Sequence, residues 1–271
     1  MSDSFPKPQP QFPSKDWEHY ALFEKLGELF SEIPSLFRST ISVSGISATE
    51  IYAFGAVLGL TIEQEVIRTL NDLRSSWDEE GLYHDYRFVR QAQTFPDVLL
   101  MNKKSTHIMM GIELKSWYLL AKEGEPSFRY QVTPTACASQ DLLVIVPWAL
   151  SNVLSGTPII FKPYITLARY AAEYRNYWWQ HVRQSKSSNE IISPQDVTPY
   201  PSARTRMIDN PAQDGGNNFG RIARTGLLDE YMQNFKETEL SGIKVNAWRK
   251  FLKEQLEEID LPNFSEDETV E

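Results

Sequence analysis

Apolar residues recur along the first part of the chain at the spacing of helices, then change to the spacing of strands. Over residues 17–37, Leu22, Phe23, Leu26, Leu29, Phe30 and Ile33 fall at the three- and four-residue intervals of one helical face. Ser47-Ala48-Thr49-Glu50 has the S-x-x-E form of a capping box and opens another helix. On that helix Gly55 and Gly59 permit a neighbour to approach closely. A further helical stretch covers 61–73, where Ile62, Val66, Ile67, Leu70 and Leu73 share a face. Glu63 lies inside that apolar arc, whereas Glu65 points away from it. An acid on a core-facing stripe needs a partner.

Three segments then have strand character, at 83–89, 95–101 and 107–117, with Asn102-Lys103-Lys104-Ser105 as the turn of a hairpin. Pro96 stands near the start of its strand, where a missing ladder N–H is tolerated. Residues 142–147, Leu-Leu-Val-Ile-Val-Pro, read as a fully buried strand reached through an irregular or helical connection. A helix is expected over 164–182, its stripe formed by Leu167, Ala168, Ala171, Tyr174, Trp178 and Val182. The Tyr177-Trp178-Trp179 cluster belongs with the core. Residues 187–226, punctuated by Pro194, Pro199, Pro201, Pro211 and Gly215-Gly216, form a loop-rich insertion. Helices follow at 227–235 and 245–259. Residues 1–15, rich in Pro, Gln and Ser, read as a flexible tail, and the acidic stretch from residue 262 as a frayed end.

Composition adds bounds to this picture. The 271 residues are 41% hydrophobic and 12% aromatic, as in a globular protein with a sizeable core. Cys137, the single cysteine, excludes an internal disulfide, suits a reducing cytoplasm and reads as a small buried thiol. The first residues lack a signal-sequence pattern, and the longest apolar run, 142–150, is short and broken by Pro147. A cytoplasmic protein with no membrane partner is the expectation.

Net charge is −9, which at first argues against nucleic acid. Its distribution argues otherwise. Residues 229–271 hold twelve acids and five bases, net −7, while residues 162–224 hold nine Lys/Arg and five Asp/Glu. A local basic surface is therefore available, and a metal-binding cleft would need carboxylates in any case.

The most specific chemistry lies on the hairpin. Asp97 follows Pro96 on the second strand, and Glu113-Leu114-Lys115 occupies the third. Side chains two apart on a strand share a face, so Glu113 and Lys115 project together while Ile112 and Leu114 face the core. With Asp97 beside Glu113, two carboxylates and an ammonium converge. Phosphodiester cleavage needs an activated water, neutralised phosphate charge and a stabilised leaving group. Two acids can hold Mg²⁺ for the first two tasks, and Lys115 can orient or deprotonate the water or stabilise developing charge.

This pattern resembles the PD-(D/E)xK nuclease superfamily, type II restriction endonucleases especially, over residues 46–150. The matching residues are Pro96-Asp97 and Glu113-Leu114-Lys115, with fifteen residues between the acids. The resemblance implies an α/β restriction-endonuclease-like core, a central mixed β-sheet flanked by helices, with N- and C-terminal helical elaborations. Residues 1–45 would be a tail and helix, 46–185 the nuclease core, and 186–271 the insertion and C-terminal helices of one compact domain. It implies Mg²⁺, with Mn²⁺ as a substitute, held by Asp97 and Glu113, and it gives Lys115 the family's lysine role. Glu63 matches the acid often found on the family's first helix, as a further ligand or as a peripheral acid. Implied partners are double-stranded DNA, a second copy in a homodimer, and a cognate DNA methyltransferase.

Lys122 and Arg129, in an aromatic-rich stretch after the lysine, read either as DNA contacts or as part of a packed surface loop. Arg204, Arg206, Arg221 and Arg224 are candidate groove or backbone contacts or simply solvated surface. A repair or recombination nuclease of the same fold, and a non-catalytic DNA-binding or assembly module, are the competing functions. His19, His84, His107 and His181 lack the arrangement of a ββα-metal nuclease, and no phosphate-binding P-loop motif is present.

Overall fold

The computed structural model describes residues 5–48, 50–91 and 94–257. Thr49 of the capping box, the end of the last expected helix and the acidic stretch from residue 262 lie outside the described residues. Helix α1 (Tyr20–Leu36) buries all six apolar residues of its predicted stripe. Helix α2 (Ile51–Asp72) is one element of 22 residues where the sequence suggests two, and the single turn α3 (Arg74–Trp77) follows it. Ser47 Oγ donates to Glu50 Oε2 at 2.8 Å and accepts the Glu50 amide at 3.3 Å, as a box at its start should. The two glycines do not divide it, because each sits under a β-strand. A Cβ on Gly55 would come within 2.7 Å of Tyr118 Cδ1, and one on Gly59 within 2.6 Å of Ser116 Oγ.

Glu65 departs from its expected position. It is buried, and its Oε1 accepts both the amide and the hydroxyl of Thr40 at 2.8 Å. The covered arc of α2 is wider than its apolar stripe, because the segment after α1 crosses it and brings polar groups.

A mixed six-stranded sheet forms the centre. Strands β1 (Tyr86–Arg90), β2 (Val98–Asn102) and β3 (Ile108–Tyr118) are an antiparallel meander, with Val98 opposite Ile112. Strand β4 (Leu142–Leu150) runs parallel to β3 and is buried at all nine positions. Its far side is shared by two short antiparallel strands, β5 (Pro158–Ile160) and β6 (Tyr164–Leu167). Pro147 in a central strand is explained by that sharing. The Trp148 carbonyl accepts from Leu119 on the β3 side, while the Pro147 carbonyl faces the other way and accepts from Phe161. Its missing N–H therefore points at the corner between β5 and β6, where no ladder bond is needed.

The expected helix over 164–182 is corrected by the same sheet. Residues 164–167 instead pair with β4, because a buried strand edge with unpaired backbone outweighs helical periodicity. Helix α4 (Ala168–Tyr177) starts only there, and a wider turn, Trp178–Val182, follows it. Trp179 is buried, whereas Trp178 and Tyr177 are half-buried.

Between β3 and β4 the connection holds a single 3₁₀ turn, Pro134–Ala136. Two small two-stranded antiparallel sheets and helices α5 (Asp229–Lys236) and α6 (Val245–Glu257) follow among the described residues. Residues 5–15 lack regular structure but lie against α4 and its extension. Phe5 stacks on His181 at 3.9 Å and Lys7 sits 5.0 Å over the Tyr174 ring, a different arrangement from the loose tail expected. None of the described helices is long and apolar enough to cross a membrane.

Candidate active site

The site is built where β2 leaves β3. Pairing between them ends at Val98 and Ile112, so the β3 amides beyond that point have no strand partner on this side. Carboxylates take the strand's place. Asp97 Oδ2 accepts the Leu114 amide at 3.2 Å, and Glu63 Oε1, from α2, accepts the Ser116 amide at 3.0 Å. Gly111 allows this departure, since a Cβ there would come within 2.3 Å of Pro96 Cγ. Gly55 and Gly59 allow Glu63 to reach β3 by the close packing of α2.

Glu113 and Lys115 project together as the strand alternation predicts, and Asp97 meets them from just before β2. That strand starts at Val98 rather than at residue 95, because Pro96 and the departure from β3 end the pairing there. Lys115 Nζ lies 2.7 Å from Asp97 Oδ2 and 2.9 Å from Glu113 Oε1. Glu113 Oε2 accepts the Asp97 amide at 3.2 Å. Ile112 and Leu114 are buried, whereas the Glu113 and Lys115 side chains remain 12% and 20% exposed. Burial, reinforced by the nearby Asp97 charge and opposed by Lys115, pushes the Glu113 carboxyl up to about 7. Burial alone would lower the Lys115 ammonium, but Glu113 and Asp97 outweigh it and hold the lysine charged above its ordinary range. Glu63 is raised chiefly by burial, against the pull of Lys115.

Asp97 and Glu113 open into a cleft of about 370 Å³ that also holds Arg129 and Arg204. Its far wall is the insertion, pinned to the β3–β4 connection. The Thr133 amide donates to the Met207 carbonyl at 2.6 Å, and the Asp209 amide to the Gln131 carbonyl at 2.8 Å. The fully buried Arg175 of α4 locks this seam. It donates to the carbonyls of Tyr130 and Val132 at 2.8 and 2.9 Å and to Asp209 Oδ2 at 2.5 Å. Asp141, also fully buried, ties Gly111, Ala138 and Tyr200 together through its two oxygens.

The remaining candidates divide. Lys122 lines a second cleft beside Glu63 and Lys115. Arg206 belongs to the exposed turn Arg204–Arg206 without lining the first cleft. Arg224 is held by Glu125 at 3.0 Å, and Arg221 has a buried Nε without a partner among the described residues. Cys137 is buried, as expected, and burial raises its thiol. Sequence reasoning missed Gly111, Asp141 and the Arg175–Asp209 pair. Only Gly111 carried a local signal, a glycine inside a strand, which marks close backbone approach.

Among the described residues, no group of three or more His, Cys, Asp or Glu side chains is arranged around one point for a metal ion. Glu63 thus stands apart from the Asp97–Glu113 pair. Comparison with protein-family models, curated proteins and solved structures finds no match to the chain.

Proposed function

We propose that the chain is a Mg²⁺-dependent endonuclease that cleaves double-stranded DNA, of the PD-(D/E)xK, type II restriction kind. The observation that carries this reading is the meeting of Lys115 with Asp97 and Glu113, whose carboxylates open into a cleft that also holds two arginines. Part of the element order supports it: α2, the β1–β3 meander and β4 parallel to β3 are compatible with a restriction-endonuclease-like core. The crossover to β4 is irregular where a helix is usual.

The donor set fits a hard cation. Two adjacent carboxylates, one of them in a place that resists ionisation, are held together by a single positive charge, Lys115. Asp97 and Glu113 would hold Mg²⁺ or Mn²⁺, leaving other positions to water and phosphate oxygens. When bound, the ion supplies an activated water and neutralises phosphate charge. Lys115, held protonated, stabilises charge that develops on the phosphate rather than removing a proton. Arg129 and Arg204 grip phosphates on either side. Glu63 positions this edge of β3 through the Ser116 amide. Such an enzyme would act as a homodimer on a two-fold symmetric site and be accompanied by a methyltransferase.

The test is plasmid digestion in Mg²⁺ with wild type and Asp97→Ala, with thermal melts of both. Discrete fragments from wild type, and none from a folded Asp97→Ala, are expected. A smear points to a repair nuclease instead. DNA binding without cleavage by wild type leaves only a binding module.

A further inference from the structure

Beyond Asp97, the open edge of β3 continues into a second cleft, of about 490 Å³, between α2 and the loop at 121–128. That volume lies within the range of about 300–1,000 Å³ typical of small-molecule sites. Tyr52 of α2 and Phe128 of the loop, both half-buried, belong to its opposite walls. Tyr118 of β3 also lines it and faces α2, whereas the Trp117 ring is turned to the other face of the strand, onto Tyr231 and Phe235. The buried Oη of Tyr118 has no hydrogen-bond partner among the described residues. Lys115 lines this cleft while its Nζ holds the two carboxylates of the first, so the clefts meet at that side chain. Exposed Lys122 stands on the wall beside Glu123 and Glu125, the latter paired with Arg224.

A phosphate held at Asp97 and Glu113 leaves its neighbouring nucleoside beside Lys115, at the entrance to this cleft. Bases of an intact duplex are turned inward on their partners and cannot enter a slot walled by a helix and a loop. We propose that the second cleft receives the base of a nucleotide next to the scissile phosphate, swung out of the duplex or already unpaired. Aromatic side chains offer its face a stacking surface that every base can use. The orphan phenol of Tyr118 suits the polar edge of a base, which would otherwise leave water without compensation. This inference rests on the nuclease reading of the first cleft and adds to it the state of the substrate.

The test is fluorescence anisotropy in Ca²⁺ with labelled DNA probes of equal length: a flush duplex, the same duplex mismatched at its centre, and one strand alone. Wild type should bind the mismatched and single-stranded probes roughly tenfold or more tightly than the flush duplex, because the unpairing cost is removed beforehand. Phe128→Ala and, independently, Tyr52→Ala should bring that ratio towards one with thermal melts showing a folded protein. Equal affinity for all probes, or a preference that survives both substitutions, overturns the proposal. Mg²⁺-dependent duplex cleavage with no such preference removes the second cleft's role alone. Failure to bind or cut any probe removes the nuclease reading with it.

Discussion

Asp97 and Glu63 do for the amides of Leu114 and Ser116 what a neighbouring strand does elsewhere in the sheet. Each acid therefore has a structural duty beside any chemical one, and substitutions must be chosen to separate the two. Lys115 allows the separation, because its ammonium bonds only side chains. Lys115→Met keeps most of the stem and should retain Mn²⁺ binding while losing about 10²–10³ in single-turnover cleavage, the effect of removing one charge-stabilising donor. Glu113→Ala should lose Mn²⁺ affinity as well as rate, as read by titration calorimetry. Near-normal cleavage by Lys115→Met would make the lysine a bystander. A pH dependence follows from Glu113, whose folded-state value of about 7 lies above its ordinary 4.5. Its contribution to stability is full below that ordinary value and is lost as pH rises through about 7. The metal-free protein should melt at falling temperature from pH 5 to pH 8, and Mg²⁺ should restore more at pH 8. Asp141, raised to about 6 chiefly by burial, adds the same trend, so the part removed by Glu113→Gln isolates the site. The shared face of Glu113 and Lys115 was legible from strand alternation, whereas Asp97, just before β2, needed the hairpin to bring it beside them. Glu65, Asp141 and Arg175 were not legible, because their burial depends on distant segments that no local period encodes.

Among elements, the hairpin and β4 were readable because their apolar runs match what a buried sheet requires. The strand at 164–167 was not, because Leu167 and Ala168 also continue a helical stripe and only the free edge of β4 decides between them. Likewise the glycines of α2 suggested close packing without naming the partner. Gly59→Ala tests that partner. Helix propensity favours alanine by about 1 kcal/mol, yet the new methyl would meet Ser116 Oγ at 2.6 Å. The single substitution should destabilise by about 1–3 kcal/mol through overpacking. Adding Ser116→Ala removes the obstructing oxygen and leaves Cβ at 3.9 Å, so the pair should recover wild-type stability or exceed it. Denaturant melts around this double-mutant cycle measure the coupling. Additive effects would show that α2 is not seated on β3 in this way.

At the scale of the molecule, the insertion is the wall of the cleft, held there by a buried ion pair. Arg175→Met should cost about 3–5 kcal/mol, because Asp209 is left charged without its cation, with the Asn176 amide still donating to it. Trypsin should then cut faster at the exposed turn that carries Arg204 and Arg206. Arg204→Ala with Arg206→Ala should leave the fold intact yet flatten the salt dependence of DNA binding. An unchanged slope would return both arginines to the solvent. The long loop was recognisable as an insertion from its prolines and glycines, but its docking on residues 130–133 was not, since those contacts are largely backbone to backbone.

That docking has a consequence for the order in which the molecule comes into being. A nascent chain that has emerged only as far as Lys115 already carries Glu63, Asp97, Glu113 and the lysine. It lacks β4, the central support of the sheet, and it lacks Arg175, Met207 and Asp209, which set the far wall. Reactive groups are thus synthesised well before the surroundings that fix their geometry. Ribosome-bound fragments should stay inert towards DNA until residue 209 has left the exit tunnel.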